Sequence, residues 1–486
     1  MSLLRVLVVA CAWTCIAAQA GSNPAQPKKP APTKAPTKTP PAKIPPAPAH
    51  PNLLVDVSQE LINAVMSRPV DDRRKVRDFV RGSEVYGHSV SHGLLTIELA
   101  PSSDKAALDF VVRGQALSNT ISLYDPVKIY SSTVVHYEVR KRIFVEACGL
   151  SGLYPTGKAK AHAHLNKMTD FQDEDDSVIA KTAKEDFLME LDETNRFASR
   201  RATWKQNMEY ERDFAPELVK ANRTFLDGLT QIQKSGFDLD RLMFGTTCKH
   251  LGVRAWLGTP SQKRPVSTPP VSDPSADFTL RLHENVINDT AQKMLARKSY
   301  TLEEILQGGI DVYGIFAAAG NAKFDPKAAG QFIPSLLKLY GIGPLTVTFA
   351  ADRPVAVVFA DQGLVVTIRG ARFTAAGLEY PGMNIILSYR FEKGKNTVTL
   401  VRNSAVQIVP ADGTGTGEKE NAIRARLEKI FNLAPDRITI PTANLPGELA
   451  KAGPLVLTHA ETRDGWLHLA WKRAVPGPML LQSRLK

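Results

Sequence analysis

Two stretches far apart in the chain change their hydrophobic period in the same way. Leu53-Leu54-Val55-Asp56-Val57-Ser58 alternates, then gives way to Leu61, Ile62, Val65 and Met66 at helical spacing. Phe278-Thr279-Leu280-Arg281-Leu282-His283 alternates, then gives way to Val286, Ile287, Ala291, Met294 and Leu295. A period of two marks a strand and a period of 3.6 a helix, so each stretch predicts a strand running into a helix. Ser58 predicts a cap for the first helix and Pro69 its end. The aligned segments close on Asn63 and Asn288.

Three weaker matches follow in the same order. Leu95–Ala100 resembles Leu345–Ala350, Leu108–Gly114 resembles Leu364–Gly370, and His136–Val139 resembles Ser388–Phe391. Each half therefore reads as strand, helix and a run of antiparallel strands. A helix laid on one face of such a sheet buries both apolar surfaces at once. The predicted fold class is α+β, with two related helix-on-antiparallel-sheet units in tandem, over 52–257 and 276–486.

Other periodic stretches fill in these units. Ala180, Ala183, Phe187 and Leu191, then Leu218, Ala221, Phe225, Leu229 and Ile232, predict a helical insertion over about 170–240. Pro216 suits a first turn there and Gly236 a stop. The Pro/Ser-rich residues 258–275 read as a linker. Thr301-Leu302-Glu303-Glu304 is a capping box, Gly308–Ala322 is a small-residue apolar segment, and Ile423, Leu427, Ile430 and Phe431 form a helical stripe. Leu455–Thr458 and Trp466–Trp471 flank Asp464-Gly465, a dipeptide that tolerates a tight turn, and predict a terminal hairpin.

The first fifty residues change the picture from a bare fold to an exported one. Arg5, the apolar run Val6–Ala18 and Ala18-Gln19-Ala20 predict a signal peptide over 1–20, with an uncleaved anchor as the alternative. Residues 21–51 hold eleven prolines and five lysines and no acid, the composition of an extended, solvated linker. The sharper reading is a basic arm for an anionic envelope polymer. No later stretch is long and apolar enough to span a bilayer, so no transmembrane segment is expected after signal cleavage. The chain has 486 residues and a formal net charge of +12. The leader and linker carry part of that excess, and an exported protein rarely meets DNA, so no nucleic-acid partner is expected. The predicted location is the periplasm, the cell envelope or the extracellular space.

Candidate chemistry is sparse. In a strand, residues two apart share a face, so His162 and His164 are the candidate metal ligands, with Asp170, Asp173, Asp175 and Asp176 close by. His283-Glu284 starts like a zinc-protease helix, but position 287 is Ile where the second histidine is needed. Gly413–Gly417 lacks the Gly-Lys-Ser/Thr of a phosphate loop, and no Gly-x-Ser-x-Gly elbow occurs. No catalytic residue and no cofactor are therefore expected. Cys148 and Cys248 remain after the leader, either bridged in an oxidising compartment or as two free thiols.

The strand–helix–curled-sheet unit, met at Leu53–Met66 and again at Phe278–Leu295, resembles the tubular lipid-binding superfamily of the bactericidal/permeability-increasing proteins. The tail, from Leu445-Pro446-Gly447-Glu448-Leu449 to Trp466–Trp471, is similar to uncharacterised exported proteins of planctomycete-type bacteria. The first resemblance implies a helix lying in a curved sheet, with lipid between them. On that reading Leu61, Ile62, Val65, Val286, Ile287 and Ala291 face the ligand. The expected function is a non-enzymatic, exported binding protein for a lipid or another apolar ligand. The alternatives are a structural or interaction protein of the envelope, and a metal-dependent enzyme using His162 and His164.

Overall fold

The computed structural model describes residues 50–80, 82–234, 239–258, 267–301, 344–394, 397–413, 417–431, 436–440 and 447–474, with Pro265 and Glu304. The predicted leader, residues 21–49, Gly308–Ala322 and most of the Gly413–Gly417 loop lie outside them. The fold is α+β with predominantly antiparallel sheets. The described residues form two compact units. One comprises Ile62–Leu226 and Phe244–Leu251, and the other takes residues up to Leu61, Asp227–Met243 and those from Gly252 on.

Both predicted strand–helix pairs are present. Strand β1 (Leu53–Ser58) leads into α1 (Gln59–Met66), and β10 (Phe278–His283) into α4 (Glu284–Leu295). Ser58 caps α1, its Oγ accepting from the Leu61 N–H at 3.0 Å. Strands β1 and β10 pair antiparallel, Val55 facing Leu280, in a six-stranded sheet ordered β20-β21-β10-β1-β9-β8. There β8 is Leu239–Thr246, β9 His250–Leu257, β20 Leu455–Arg463 and β21 Trp466–Arg473. The predicted hairpin joins β20 to β21. Asp464 and Gly465 hold φ of 51° and 81°, the two positive angles that a turn of the strands' own twist requires.

The first unit is built on very long strands: β2 (Arg68–Val80), β3 (Ser83–Ala100), β4 (Ala106–Tyr124), β5 (Val127–Glu146), β6 (Gly149–Gly152) and β7 (Thr156–Asp170). They run β2-β3-β4-β5, and β6 and β7 share the far side of β5. Two helices follow, α2 (Val178–Met189) and α3 (Leu191–Lys234). The insertion is thus one short helix and one of 44 residues. Pro216 lies inside α3 and not in its first turn. The two residues that bracket it, Phe214 and Leu218, face the sheet, and this packing offsets the roughly 3 kcal/mol that an interior proline costs.

The second unit's own sheet is ordered β11-β12-β14-β16-β17-β19, with β13 and β15 on β14 and β18 on β16. Its strands are β11 (Ser299–Thr301), β12 (Leu345–Phe349), β13 (Val355–Ala360), β14 (Gly363–Ala375), β15 (Leu378–Tyr380), β16 (Met383–Lys393), β17 (Val398–Arg402), β18 (Gln407–Pro410) and β19 (Arg437–Ile440). Helix α5 (Glu418–Phe431) packs Ile423, Leu427 and Ile430 into a core with Val347, Phe349, Phe373, Met383 and Ile385. Thr301 and Glu304 form the predicted capping box, with reciprocal bonds of 2.7 and 3.2 Å.

The segments matched in sequence occupy successive neighbours in both sheets, on β3-β4-β5 and on β12-β14-β16. The register does not repeat. Leu95 faces Val112, but Leu345 faces Ala375, well beyond the position equivalent to Val112. The likeness is one of element order. Cys148 and Cys248 are both free and exposed, which corrects the bridged alternative. Cys148 Sγ lies 3.8 Å from the Glu146 carboxylate, and Cys248 sits in the β8–β9 turn.

Candidate functional site

The first unit's sheet has one face turned to α3. On that face lie the even positions of β2 and β4 and the odd positions of β3 and β5, because directly paired residues share a side. Helix α3 reaches both edge strands. Arg201 pairs with Asp78, and Glu209 with Arg74 at 2.6 Å, both on β2. On β7, Ser199 Oγ accepts from the Ala161 N–H at 2.8 Å and Asn195 Oδ1 from the Ala163 N–H at 2.7 Å. Asn222 does the same for Leu150 of β6. Five flat strands would span about 19 Å, whereas a helix with its side chains is about 10–12 Å across. One helix therefore reaches both edges only because the sheet curls around it.

Glycines make that curl. A Cβ on Gly87 would stand 2.0 Å from the Asn119 carbonyl oxygen, and one on Gly114 would stand 2.3 Å from that of His92. Strands approach here more closely than side chains permit. The Tyr137 ring covers the paired Gly93 and Gly114, its hydroxyl 2.8 Å from where a Gly114 Cβ would be. Burial pushes the Tyr137 phenol up, against the opposing bond to Ser91.

Tyr137 divides the concave face. On one side Leu95, Ile97, Leu108, Phe110, Val139 and Ile143 are all at most 7% exposed. Phe214 of α3 meets Phe110 edge-on at 5.1 Å, Glu211 pairs with the buried Lys141, and burial pushes the Tyr210 phenol far up. On the other side the lining shrinks to Ser89, Ser91, Ala116, Ser118, Thr120, Ser122, Ser131 and Thr133. Their hydroxyls bond one another, Ser118 to Ser89 at 2.9 Å and Thr120 with Ser131 at 3.1 Å. Val76, Val85, Ile129, Val135 and Leu165 also turn inward there, yet they are only half-buried. Small side chains with mutually satisfied hydroxyls make this stretch weakly polar and mostly half-buried, continuous with a packed core.

The residues singled out from sequence lie elsewhere. Leu61, Ile62, Val65 and Val286 are buried, and Ile287 and Ala291 half-buried. The informative residues of these helices are their polar ones. Asn63 bonds both the N–H and the C=O of Ile97, at 2.7 and 2.8 Å. Asn288 does the same to Val357, at 2.6 and 2.9 Å. Glu284 and Gln292, one turn either side of Asn288, take the N–H groups of Phe359 and Arg353. Burial pushes the Glu284 carboxyl up, with the Phe359 N–H opposing. Each helix thus seals a strand edge, and the matching asparagines in the two aligned segments were the available signal.

His162 and His164 are exposed on the convex face. The nearby acids turn to lysines instead: Asp173 to Lys128 at 2.8 Å, Asp175 to Lys167 at 4.0 Å and Asp176 to Lys181 at 3.4 Å. The Lys128 bond holds the Asp173 carboxyl below its usual range. Asp170 accepts the N–H groups of Gln172 and Glu174. These groups do not gather around the two imidazoles.

No family model and no curated protein matches the chain. Among solved structures, a lipopolysaccharide binding protein matches 87% of this chain and 99% of its own, at 10% identity and a TM-score of 0.31. A likeness at that level fixes neither fold nor ligand. Among the described residues, no helix is long and apolar enough to cross a membrane.

Proposed function

We propose that the chain is an exported binding protein whose first unit takes an elongated apolar ligand, a lipid acyl chain in class, in the trough between α3 and the concave face beyond Tyr137. One observation carries this reading. Inward-facing aliphatic side chains are fully buried on one side of Tyr137, whereas on the other Val76, Val85, Ile129, Val135 and Leu165 are only half-buried where the lining becomes small, short of the buried Val127 and Met168 at the far end. A finished core closes on such residues, because interiors pack to crystal-like density. An acyl chain laid along Val85, Ile129 and Val135 would complete their burial at about 25 cal/mol per Å². The resemblance at Leu53–Met66 and Phe278–Leu295 implies the same ligand class.

The test is solvent extraction of the purified mature protein, together with uptake of a fluorescent fatty acid. Wild type releases or takes up apolar ligand, and Ser118→Phe blocks uptake with little change in stability. Absence of ligand and uptake overturns the reading. So does a loss of about 1–3 kcal/mol in Ser118→Phe, the penalty of overfilling a packed interior.

A further inference from the structure

The terminal hairpin brings three metal-ligating side chains to one place. His459 and Glu461 are two apart on β20, so they share a face, and Glu461 directly faces His468 on β21. A donor atom from each lies within 4.8 Å of the others. His459 Nε2 and Glu461 Oε2 are 3.2 Å apart, close to the roughly 3.3 Å between two ligands that each sit about 2.0 Å from a tetrahedral zinc. The His459 and His468 rings are 5.0 Å apart.

His468 supplies the second, independent observation. It is 5% exposed, and its Nε2 is buried without a hydrogen-bond partner. A buried ring nitrogen left unmatched costs free energy unless something fills its lone pair or takes its proton. Its ring is buried beside Trp466 and Arg281 rather than in water, and a metal would take up the lone pair of that unmatched nitrogen. Arg281 faces His468 from β10 and would repel a cation. Its guanidinium, however, is held by the Asp56 carboxylate and by the Pro270 carbonyl at 2.8 Å. Asp273 adds negative charge near His468, and Lys472 and His459 act on Asp273 in turn.

We infer that His459, Glu461 and His468 form a binding site for a divalent transition metal of the zinc class. Two imidazoles and one carboxylate suit zinc, and three protein ligands leave a position for water. The side chains of His459 and Glu461 are 37% and 41% exposed, so the ion has a way in from solvent. The inference is independent of the lipid reading.

Zinc titration of the full chain, followed by calorimetry and native mass spectrometry, tests it. Co²⁺ serves as the spectroscopic probe. One equivalent should bind, raise the thermal transition and give the visible absorption of low-symmetry cobalt with nitrogen ligands. His459→Gln and Glu461→Gln should each weaken binding at least about tenfold. Both alter partly exposed side chains, so their metal-free melting should match wild type and show that they fold. Absence of bound zinc, or unchanged binding in both variants, overturns the site. Binding lost instead in His162→Ala/His164→Ala overturns it too, by moving the ion to the convex face.

Discussion

The two sheets that continue from the paired strand–helix segments are filled in different ways. In the second unit, α5 sends Ile423, Leu427 and Ile430 into large apolar partners, and the interior closes. In the first, α3 meets its sheet through Asn195, Ser199, Arg201, Glu209 and Asn222, with apolar contact gathered near Phe214. The same element order thus serves two ends. One sheet is closed by side-chain volume, the other by polar bonds along its rim, and a rim-held sheet is free to keep its middle small.

Mutations should separate the two modes, and the largest effect is expected where volume does the closing. Leu427→Ala in α5 removes a side chain that is 2% exposed and should cost about 2–5 kcal/mol in urea unfolding. A loss under about 1 kcal/mol would show that α5 is not packed. Asp109→Ala comes next. Burial raises this carboxyl, but the bonds from Arg142 and Arg140 more than offset it and leave it below the usual range. A carboxyl lowered in the fold contributes stability above its unfolded value and loses it as the pH falls through the folded one. Wild type should therefore lose stability below about pH 4 in a phase that Asp109→Ala lacks, while at neutral pH the variant is about 1–3 kcal/mol weaker. Identical acid profiles would remove the claim.

Asn63→Ala and Asn288→Ala sharpen the comparison, because these residues perform the same task in the two units. Each should cost about 1–2 kcal/mol and speed amide exchange at Ile97 or Val357. Unequal exchange would end the equivalence. The smallest effect belongs to Arg201→Ala. Its pair with Asp78 is partly exposed, so the stability change should stay within about 0–1 kcal/mol. A larger loss by thermal melting would give the rim ion pairs a structural weight that solvent screening argues against.

The sequence made the paired strand–helix segments legible because their period changes within a few residues. The hairpin at Asp464-Gly465 was legible because few dipeptides adopt its angles. Helix α3 was read as separate pieces, since Pro216 reads locally as a start and only contacts such as Phe214 with Phe110 carry the helix through it. The trough was not legible. Ser, Thr and Gly carry little hydrophobic signal, and the inward turn of Ser89, Ser118 and Thr120 follows from register across strands that are distant in sequence. The matched segments kept their alignment through the strand–helix pair, where the starts of strand and helix coincide and the bond made by Asn63 is repeated by Asn288. Further along, the sheets slid relative to the pattern. The histidine–glutamate triad needed the same kind of knowledge: His459 and Glu461 are visible as a spaced pair, but only the β20–β21 register sets His468 beside them.

The sealing of β6 and β7 by side chains makes α3 a latch rather than a seam. No main-chain ladder bond joins the helix to the sheet among the described residues, so its hold on these strands is made by side chains alone. What these side chains cover is the row of N–H groups at Leu150, Ala161 and Ala163, held by Asn222, Ser199 and Asn195. A bare edge of that kind accepts another strand from any chain that offers one. The side chains that hold α3 in place therefore also keep this edge from pairing with a second copy of the chain.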